Sequence, residues 1–302
     1  MKIQSILVIG EESFLGQHLV ARLLSEKYNI VTTSREKTSL QGTDHITLDL
    51  GNPDLSFFQG RHFDAVIHLA AISNPRMCDE MPDLAQQINV TALRQLVETL
   101  QADSQLKTFI YPSSVTLVKD GQEIIDEDSE IDPDKNVYTK TKYEAEKIIQ
   151  TAIAEHDFPA TILRFPNIYG PGQPGGAYAT FVPQVIEQAL NDEKIEIWNT
   201  DTVRDWVYVE DIVDLFVKTL NAVTCGLYQI GSGRGTSTGE IAENLAKLSG
   251  VELTCLNKSG TGPKHIITNP AKIQQATGWT ANTPINEGLK KTFDYFISHP
   301  QS

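Results

Sequence analysis

Cysteine is scarce in this chain of 302 residues: only Cys78, Cys225 and Cys255 occur, far apart and with no CxxC pair. That argues against a disulfide framework and fits reduced thiols. The seven histidines never fall into HxxxH or HExxH spacing, so no metal site is suggested. Long hydrophobic runs are missing as well. Ile6–Ile9 is too short for the core of a signal peptide and leads directly into Glu11 and Glu12, and no stretch would span a bilayer. The cytoplasm is the expected compartment, with no membrane partner. Positive charge is in short supply: 25 Lys and Arg stand against 39 Asp and Glu, a formal net charge of −14. This balance argues against nucleic acid or an anionic membrane as partner, while leaving room for a local basic pocket around a phosphate. Repeats, low-complexity tracts and flexible linkers do not occur, so the lobes should pack tightly.

The N-terminal half alternates short apolar runs with amphipathic stretches. "SILVIG" (5–10), "NIVTTS" (29–34), "AVIHLA" (65–70), "TFIYPSS" (108–114) and "ATILRFPNIYG" (160–170) read as buried strands. Between them, 14–25, 83–100 and 138–154 carry helical periodicity. Continuous apolar strands separated by helices predict an α/β fold, a Rossmann-like doubly wound parallel sheet. After the Gly/Pro-rich "YGPGQPGGA" (169–177) the strict alternation ends. Helices are expected over 181–190, 209–220 and 238–249, with short strands near "IEIW" (195–198) and "LYQIG" (227–231). The first domain is placed at 1–171, with parts of 205–235 returning to it, and a smaller C-terminal α/β substrate lobe mainly at 172–302.

"ILVIGEESFLGQHLV" puts Gly10 and Gly16 between the first strand and a helix. A tight turn there would aim backbone N–H groups and the helix N-terminus, with Ser13, Phe14 and Leu15, at a pyrophosphate. The spacing is that of G-x-x-G-x-x-G with Ser13 in the middle. Serine is bulkier at a close approach, although its hydroxyl could bond a phosphate, and plain strand–helix turns use the same letters. An NAD site wants a carboxylate at the end of the second strand, roughly 20 residues past the glycines. Here the strand ends in Ser34-Arg35, with Lys37 close by. The planar fork of Arg35 would suit a 2′-phosphate, which favours NADP(H), while Glu36 leaves NAD(H) open. Asp49-Leu50 follows the third strand, where the carboxylate could take the adenine amino group or simply cap the turn "DLGNPD".

"NVYTKTKYEAEKIIQ" (136–150) contains Tyr-x-x-x-Lys twice, as Tyr138/Lys142 and Tyr143/Lys147. Helix phase separates the two pairs. At about 100° per residue, Tyr138, Lys142, Ala145, Ile149 and Ala152 share one mostly apolar face. Tyr143 and Lys147 fall on the polar side with Lys140 and Gln150, as an ordinary solvated face. A tyrosine serving as base at neutral pH needs its pKa lowered by roughly 3 units, about 4 kcal/mol. A neighbouring ammonium in a dry pocket can contribute a shift of that size.

These pieces occur in register with "VIHLAA" (66–71), "INV" (88–90), "SSV" (113–115), "LRFPNIYGP" (163–171) and "RDWVYVED" (204–211). Together they resemble the extended short-chain dehydrogenase/reductases of the nucleotide-sugar epimerase/dehydratase family, over nearly the whole chain. The resemblance implies that Ser114 bonds the substrate oxygen, with Ser113 as competitor more naturally spent on backbone. It implies Tyr138 as proton donor or acceptor and Lys142 as its partner and holder of the nicotinamide ribose. Leu69, Ala70, Ala71 and Pro166 would line the cofactor, and Asn89 would brace the strand carrying the serine. Thr116, Asn167 and Arg204 would reach the substrate, Arg204 at its diphosphate. Asp205 and Asp211 would serve structure, as a turn contact and a helix cap, and Arg164 could be a buried ion-pair partner. Tyr178 and Trp198 could stack on a base or sugar, or pack the lobe.

The sequence departs from the family at two points. Ser114 is followed by Val115-Thr116-Leu117-Val118-Lys119 rather than the usual continuation to VYG, and no Asp-Glu pair follows the strand. Loss of water is therefore not expected. The resemblance implies a nucleotide-diphosphate sugar as substrate and a homodimer through the helices at 83–100 and 138–154. Arg35 suggests an NADPH-dependent 4-keto sugar reductase. The competing readings are an NAD-dependent 4-epimerase and, from another class, a non-catalytic NADP-binding regulator, although regulators of this kind tend to lose the tyrosine or lysine kept here.

Overall fold

A computed structural model describes residues 3–35, 42–192, 194–222, 224–258 and 263–300. Glu36 and Lys37, on which part of the cofactor expectation rests, lie outside them. Strands β1 (Ser5–Ile9), β2 (Asn29–Ser34), β3 (Asp44–Thr47), β4 (Ala65–His68) and β5 (Thr108–Ser114) come first, with helices α1 (Phe14–Ser25), α2 (Pro75–Glu80), α3 (Pro82–Gln86) and α4 (Ala92–Gln101). The short β6 (Ile124–Ile125) precedes α5 (Val137–His156), β7 (Ala160–Phe165) and β8 (Asn167–Tyr169). Then follow α6 (Phe181–Asn191), β9 (Lys194–Ile197), β10 (Val203–Tyr208), α7 (Val209–Ala222) and β11 (Gly226–Gln229). The chain continues through β12 (Gly235–Ser237), α8 (Thr238–Ser249), β13 (Glu252–Cys255), β14 (His265–Thr268), α9 (Ala271–Thr277) and α10 (Ile285–Ser298).

Seven parallel strands form the large sheet in the order β11-β7-β5-β4-β1-β2-β3. Its two faces are both buried, which is why β1 reads as an unbroken apolar run. Ile6 and Val8 pack on one side with Leu19 and Leu23 of α1 and Ile212 and Phe216 of α7. Leu7 and Ile9 pack on the other with Leu93 and Leu96 of α4 and Ala145 and Ile149 of α5. A parallel α/β winding of this kind brings the carboxyl ends of β1, β4 and β5 to one edge, where ligands bind in such folds.

Two expectations need correction. The strand expected over 160–170 breaks at Pro166, which has no N–H to give to a ladder. Before it, β7 lies in the large sheet; after it, β8 pairs with β10 outside that sheet, Asn167 opposite Trp206. The single helix expected over 83–100 is instead α3, a π-helical turn at Gln87–Thr91, and α4. The wider turn is where Asn89 points inward. A second sheet runs β12-β10-β14-β6, and β9 pairs with β13. No helix among the described residues is long and apolar enough to cross a membrane.

Candidate active site

The turn after β1 is tight because it must be. Gly10 has φ +94°, and a Cβ there would lie 2.7 Å from the Ala70 nitrogen at the end of β4. A Cβ on Gly16 would meet the Gly10 carbonyl at 2.4 Å. The amides of Gly10 and Glu11 both donate to the Thr33 carbonyl, at 3.1 and 3.3 Å, pinning the turn to β2. Leu69 and Ala70 donate to the Ile9 carbonyl, pinning it to β4. Ser13 is the N-cap of α1: its Oγ accepts from Gly16 N at 3.0 Å and donates to Gly10 O at 2.8 Å. Its hydroxyl therefore braces the turn. The first-turn amides of Phe14 and Leu15 have no carbonyl four residues back within the helix. A narrow glycine turn, free helix-start amides and the small Ala70-Ala71 opposite form a cradle that fits a dinucleotide pyrophosphate.

At the adenosine end the expected residues are less engaged. Arg35 is exposed. Asp49 caps its own turn, with Oδ1 accepting from Gly51 N at 2.8 Å, and Leu50 is buried in the core beside β1. The sequence reading passed over Glu11, which is 2% exposed and lies 3.1 Å from His45 on β3. A carboxylate one residue after the glycine of an anion-binding turn was the available signal.

Asn89 is a clamp. Its Oδ1 accepts from Ile72 N at 2.9 Å, while Nδ2 donates to Ile72 O at 2.9 Å and to Thr141 Oγ1 at 3.2 Å. It thus joins the segment after β4 to α5, beside Lys142. The strand it braces is not β5, as expected, because the π turn directs it at Ile72.

α5 begins in a capping box of Asn136 and Thr139. Its inward face is the one anticipated: Tyr138, Lys142, Ala145, Ile149 and Ala152 are buried, whereas Lys147 is exposed and packs over the half-buried Tyr143 ring. Tyr138 meets Ser114 at the end of β5. Burial pushes its phenol up to about 12, and the nearby Ser114 hydroxyl only partly offsets this. Ser114 Oγ is also 2.9 Å from Thr116 Oγ1 and accepts from Thr116 N. Ser113 Oγ, expected to bond backbone, is buried without a hydrogen-bond partner among the described residues.

Lys142 and Tyr138 share a face but not a hydrogen bond among the described residues. The ammonium donates to Tyr111 OH at 3.2 Å and to Pro112 O at 2.9 Å, and sits over the Tyr111 ring. The direct acidification of Tyr138 expected from helix spacing is therefore corrected. Burial pulls Lys142 down to about 8, with Glu146 opposing the shift. His68, stacked on Phe109 and Tyr111, is driven down to about 3, mainly by burial, so it stays neutral beneath the ammonium. Cys78 packs in the cluster that covers Tyr138. Arg164 is the anticipated buried partner: it forks onto Glu146, one helical turn beyond Lys142, at 2.9 and 2.7 Å.

Thr116 borders a cleft of about 500 Å³ with Asn136, Thr139, His265 and Ile266. Arg204, half-buried on β10, pairs in register with Ile266 and donates to Val203 O and Lys264 O. A second cleft of about 610 Å³ is bordered by Gln184, Trp198, Asn199 and Thr202. Trp198 is 57% exposed there rather than packed. Tyr178, also exposed, donates to Glu80 at 2.6 Å and so ties its loop to α2. Asn167 is half-buried at the start of β8, and Pro166 is buried before it. Asp205 accepts from Ser232, Gly233 and Thr268, a structural knot. Asp211 accepts from Thr283 N rather than capping its own helix.

The profile of the "NAD dependent epimerase/dehydratase family" matches residues 6–231. UDP-arabinose 4-epimerase 1 of Arabidopsis thaliana is 28% identical over 336 residues, covering 97% of this chain and 80% of the relative. UDP-glucuronic acid 4-epimerase from Bacillus cereus, solved in complex with UDP-glucuronic acid and NAD, is 25% identical with TM-score 0.85, over 97% of this chain and 99% of that one. UDP-N-acetylglucosamine 4-epimerase from Methanobrevibacter ruminantium M1 superposes with TM-score 0.90 over 99% of both chains; at 21% identity this likeness speaks for the fold alone.

Proposed function

The chain belongs to the NAD-dependent epimerase/dehydratase family and is an extended short-chain dehydrogenase/reductase enzyme, and on that premise we propose that it is an NAD-dependent 4-epimerase of a UDP-sugar. The observation that carries this reading is that Tyr138 and Lys142 are buried on one face of α5 against β5, whose last residue is Ser114 and whose Tyr111 and Pro112 hold the Lys142 ammonium. The relatives' names supply the choice of epimerisation over the net reduction that Arg35 suggests.

Bound NAD would supply a hydride acceptor and donor at the sugar C4, so that return to the opposite face inverts that carbon. Tyr138 takes the proton from the C4 hydroxyl oxygen and later gives it back. Ser114 orients that oxygen and bonds the phenol, which alone is too weak an acid at about 12 to do this at neutral pH. Lys142, fixed by Tyr111 and Pro112, keeps a further N–H for a ribose hydroxyl and holds positive charge near the phenol. The cleft at Thr116 would take the sugar, with Asn167 at its side. Arg204 would pair with the diphosphate, and the cleft at Trp198 would take the base. On this reading 1–171, with parts of 205–235, holds the cofactor and the rest of 172–302 holds the sugar nucleotide. The outer faces of α4 and α5 would join two copies.

The test needs no added cofactor. Purified protein is denatured and the released dinucleotide identified by mass spectrometry, while the folded protein is incubated with UDP-glucose, UDP-xylose and UDP-glucuronic acid. Retained NAD and interconversion of one of these with its C4 epimer are expected. Turnover only of a 4-keto sugar, and only with added NADPH, would replace this reading with the reductase.

A further inference from the structure

Where β1 and β2 end, a largely buried polar trio of Glu11, Ser34 and the half-buried His45 of β3 takes no part in the chemistry above. Glu11 Oε1 lies 3.1 Å from His45 Nδ1. His45 Nε2 lies 3.4 Å from Oγ of Ser34, the last residue of β2, and Thr32 Oγ1 lies 3.4 Å from His45 Nδ1. Glu11 is 2% exposed, yet its Oε2 has no hydrogen-bond partner among the described residues. Such a carboxylate is costly while one oxygen is out of water and unpaired, and a ligand hydroxyl that donated to it would relieve that cost.

The position of the trio gives it a use. Dinucleotide folds place a ribose-binding carboxylate at the end of the second strand, where this chain has Ser34. The amides of Gly10 and Glu11, both bonded to Thr33 O, bring Glu11 to that same corner from the neighbouring strand. We propose that Glu11, oriented by His45, is the carboxylate that receives the adenosine ribose hydroxyls and rejects a 2′-phosphate, so that it and not Arg35 sets NAD over NADP. Arg35 is exposed, and water and salt screen its charge; Glu11 is buried, and its charge acts at nearly full strength over the same few ångströms.

The inference rests on the cofactor assigned above and not on the sugar reaction, so it is tested by binding alone. Titration calorimetry of NAD and NADP is run on the stripped, full-length wild type and on Glu11→Gln, Arg35→Ala and the double variant Glu11→Gln/Ser34→Asp. Wild type should prefer NAD at least tenfold, and Arg35→Ala should keep that preference. Glu11→Gln should lose it, through weaker NAD binding, tighter NADP binding or both. Placing a carboxylate at position 34 should restore it, which separates ribose recognition from damage to the fold. An unchanged NAD/NADP ratio in Glu11→Gln would overturn the proposal, as would a Glu11→Gln protein that binds neither dinucleotide and is not rescued by Ser34→Asp. Failure of wild type to bind either dinucleotide would overturn the cofactor reading with it.

Discussion

Replacing Glu146 with Gln should be among the most damaging single changes outside the glycine turn. Glu146 and Arg164 are 1% and 2% exposed and joined by two hydrogen bonds of 2.9 and 2.7 Å. The amide keeps the shape of the carboxylate but leaves the guanidinium buried with no counter-charge, and Arg164 Nη1 already has no hydrogen-bond partner among the described residues. Breaking a buried pair from one side costs about 3–5 kcal/mol. At roughly 2–4 °C per kcal/mol for a domain of 150–250 residues, that is a fall of roughly 6–20 °C in melting temperature. The double variant Glu146→Met/Arg164→Met removes both charges and should melt within about 5 °C of wild type, or above it. The double variant has a second readout. Glu146 opposes the burial that pulls Lys142 down to about 8. Without it the ammonium loses its proton at lower pH, so the alkaline limb of the rate profile should move toward neutrality. Calorimetry of the three variants and wild type decides the matter. If both Glu146→Gln and Arg164→Met melt within 2 °C of wild type, the pair does not behave as a desolvated ion pair and the reasoning fails.

Tyr138→Phe should lower turnover by about 10²–10⁴-fold while nucleotide binding and melting temperature stay near wild type; unchanged turnover would remove Tyr138 from the chemistry. Gly10→Ala should cost at least about 1–2 kcal/mol and abolish dinucleotide binding, since φ is +94° and the new Cβ would lie 2.7 Å from Ala70 N; calorimetry reads both. His18 gives stability a pH dependence. Burial lowers its pKa, but bonds from its two ring nitrogens to Glu210 and Pro171 O outweigh burial and leave it raised. Both bonds require the imidazolium. Its contribution is therefore complete below the unfolded value of about 6.5 and lost as pH rises through the higher folded value. Melting curves should show wild type losing stability across that window and His18→Gln staying flatter; parallel curves would refute it.

Much of this site could be read along the chain because it obeys local periodicity. Helix phase alone turned Tyr138 and Lys142 inward and Lys147 outward, and unbroken apolar runs marked the central strands. What was not legible depends on contacts between distant residues. Lys142 is held by Tyr111 on β5, so its spacing from Tyr138 did not reveal its hydrogen bonds. Glu11 meets His45 across a sheet edge, and no period connects them. The π turn at Asn89 keeps nearly the composition of an α-helix while shifting which side chain faces in. The place of Arg35 after β2 was legible for the same local reason, but its exposure was not.

The handover at Pro166 has a consequence for anyone dividing this protein. The last strand that the N-terminal stretch gives to the large sheet, β7, is not an edge strand, because β11 covers it from more than sixty residues further on, Gly226 opposite Thr161. A fragment cut at 171 would carry a strand that is buried along its whole length with one row of N–H and C=O groups bare. Such an edge recruits strands from other chains. The halves are therefore inseparable in manufacture, and a nick in the 172–176 loop should leave one particle, not two.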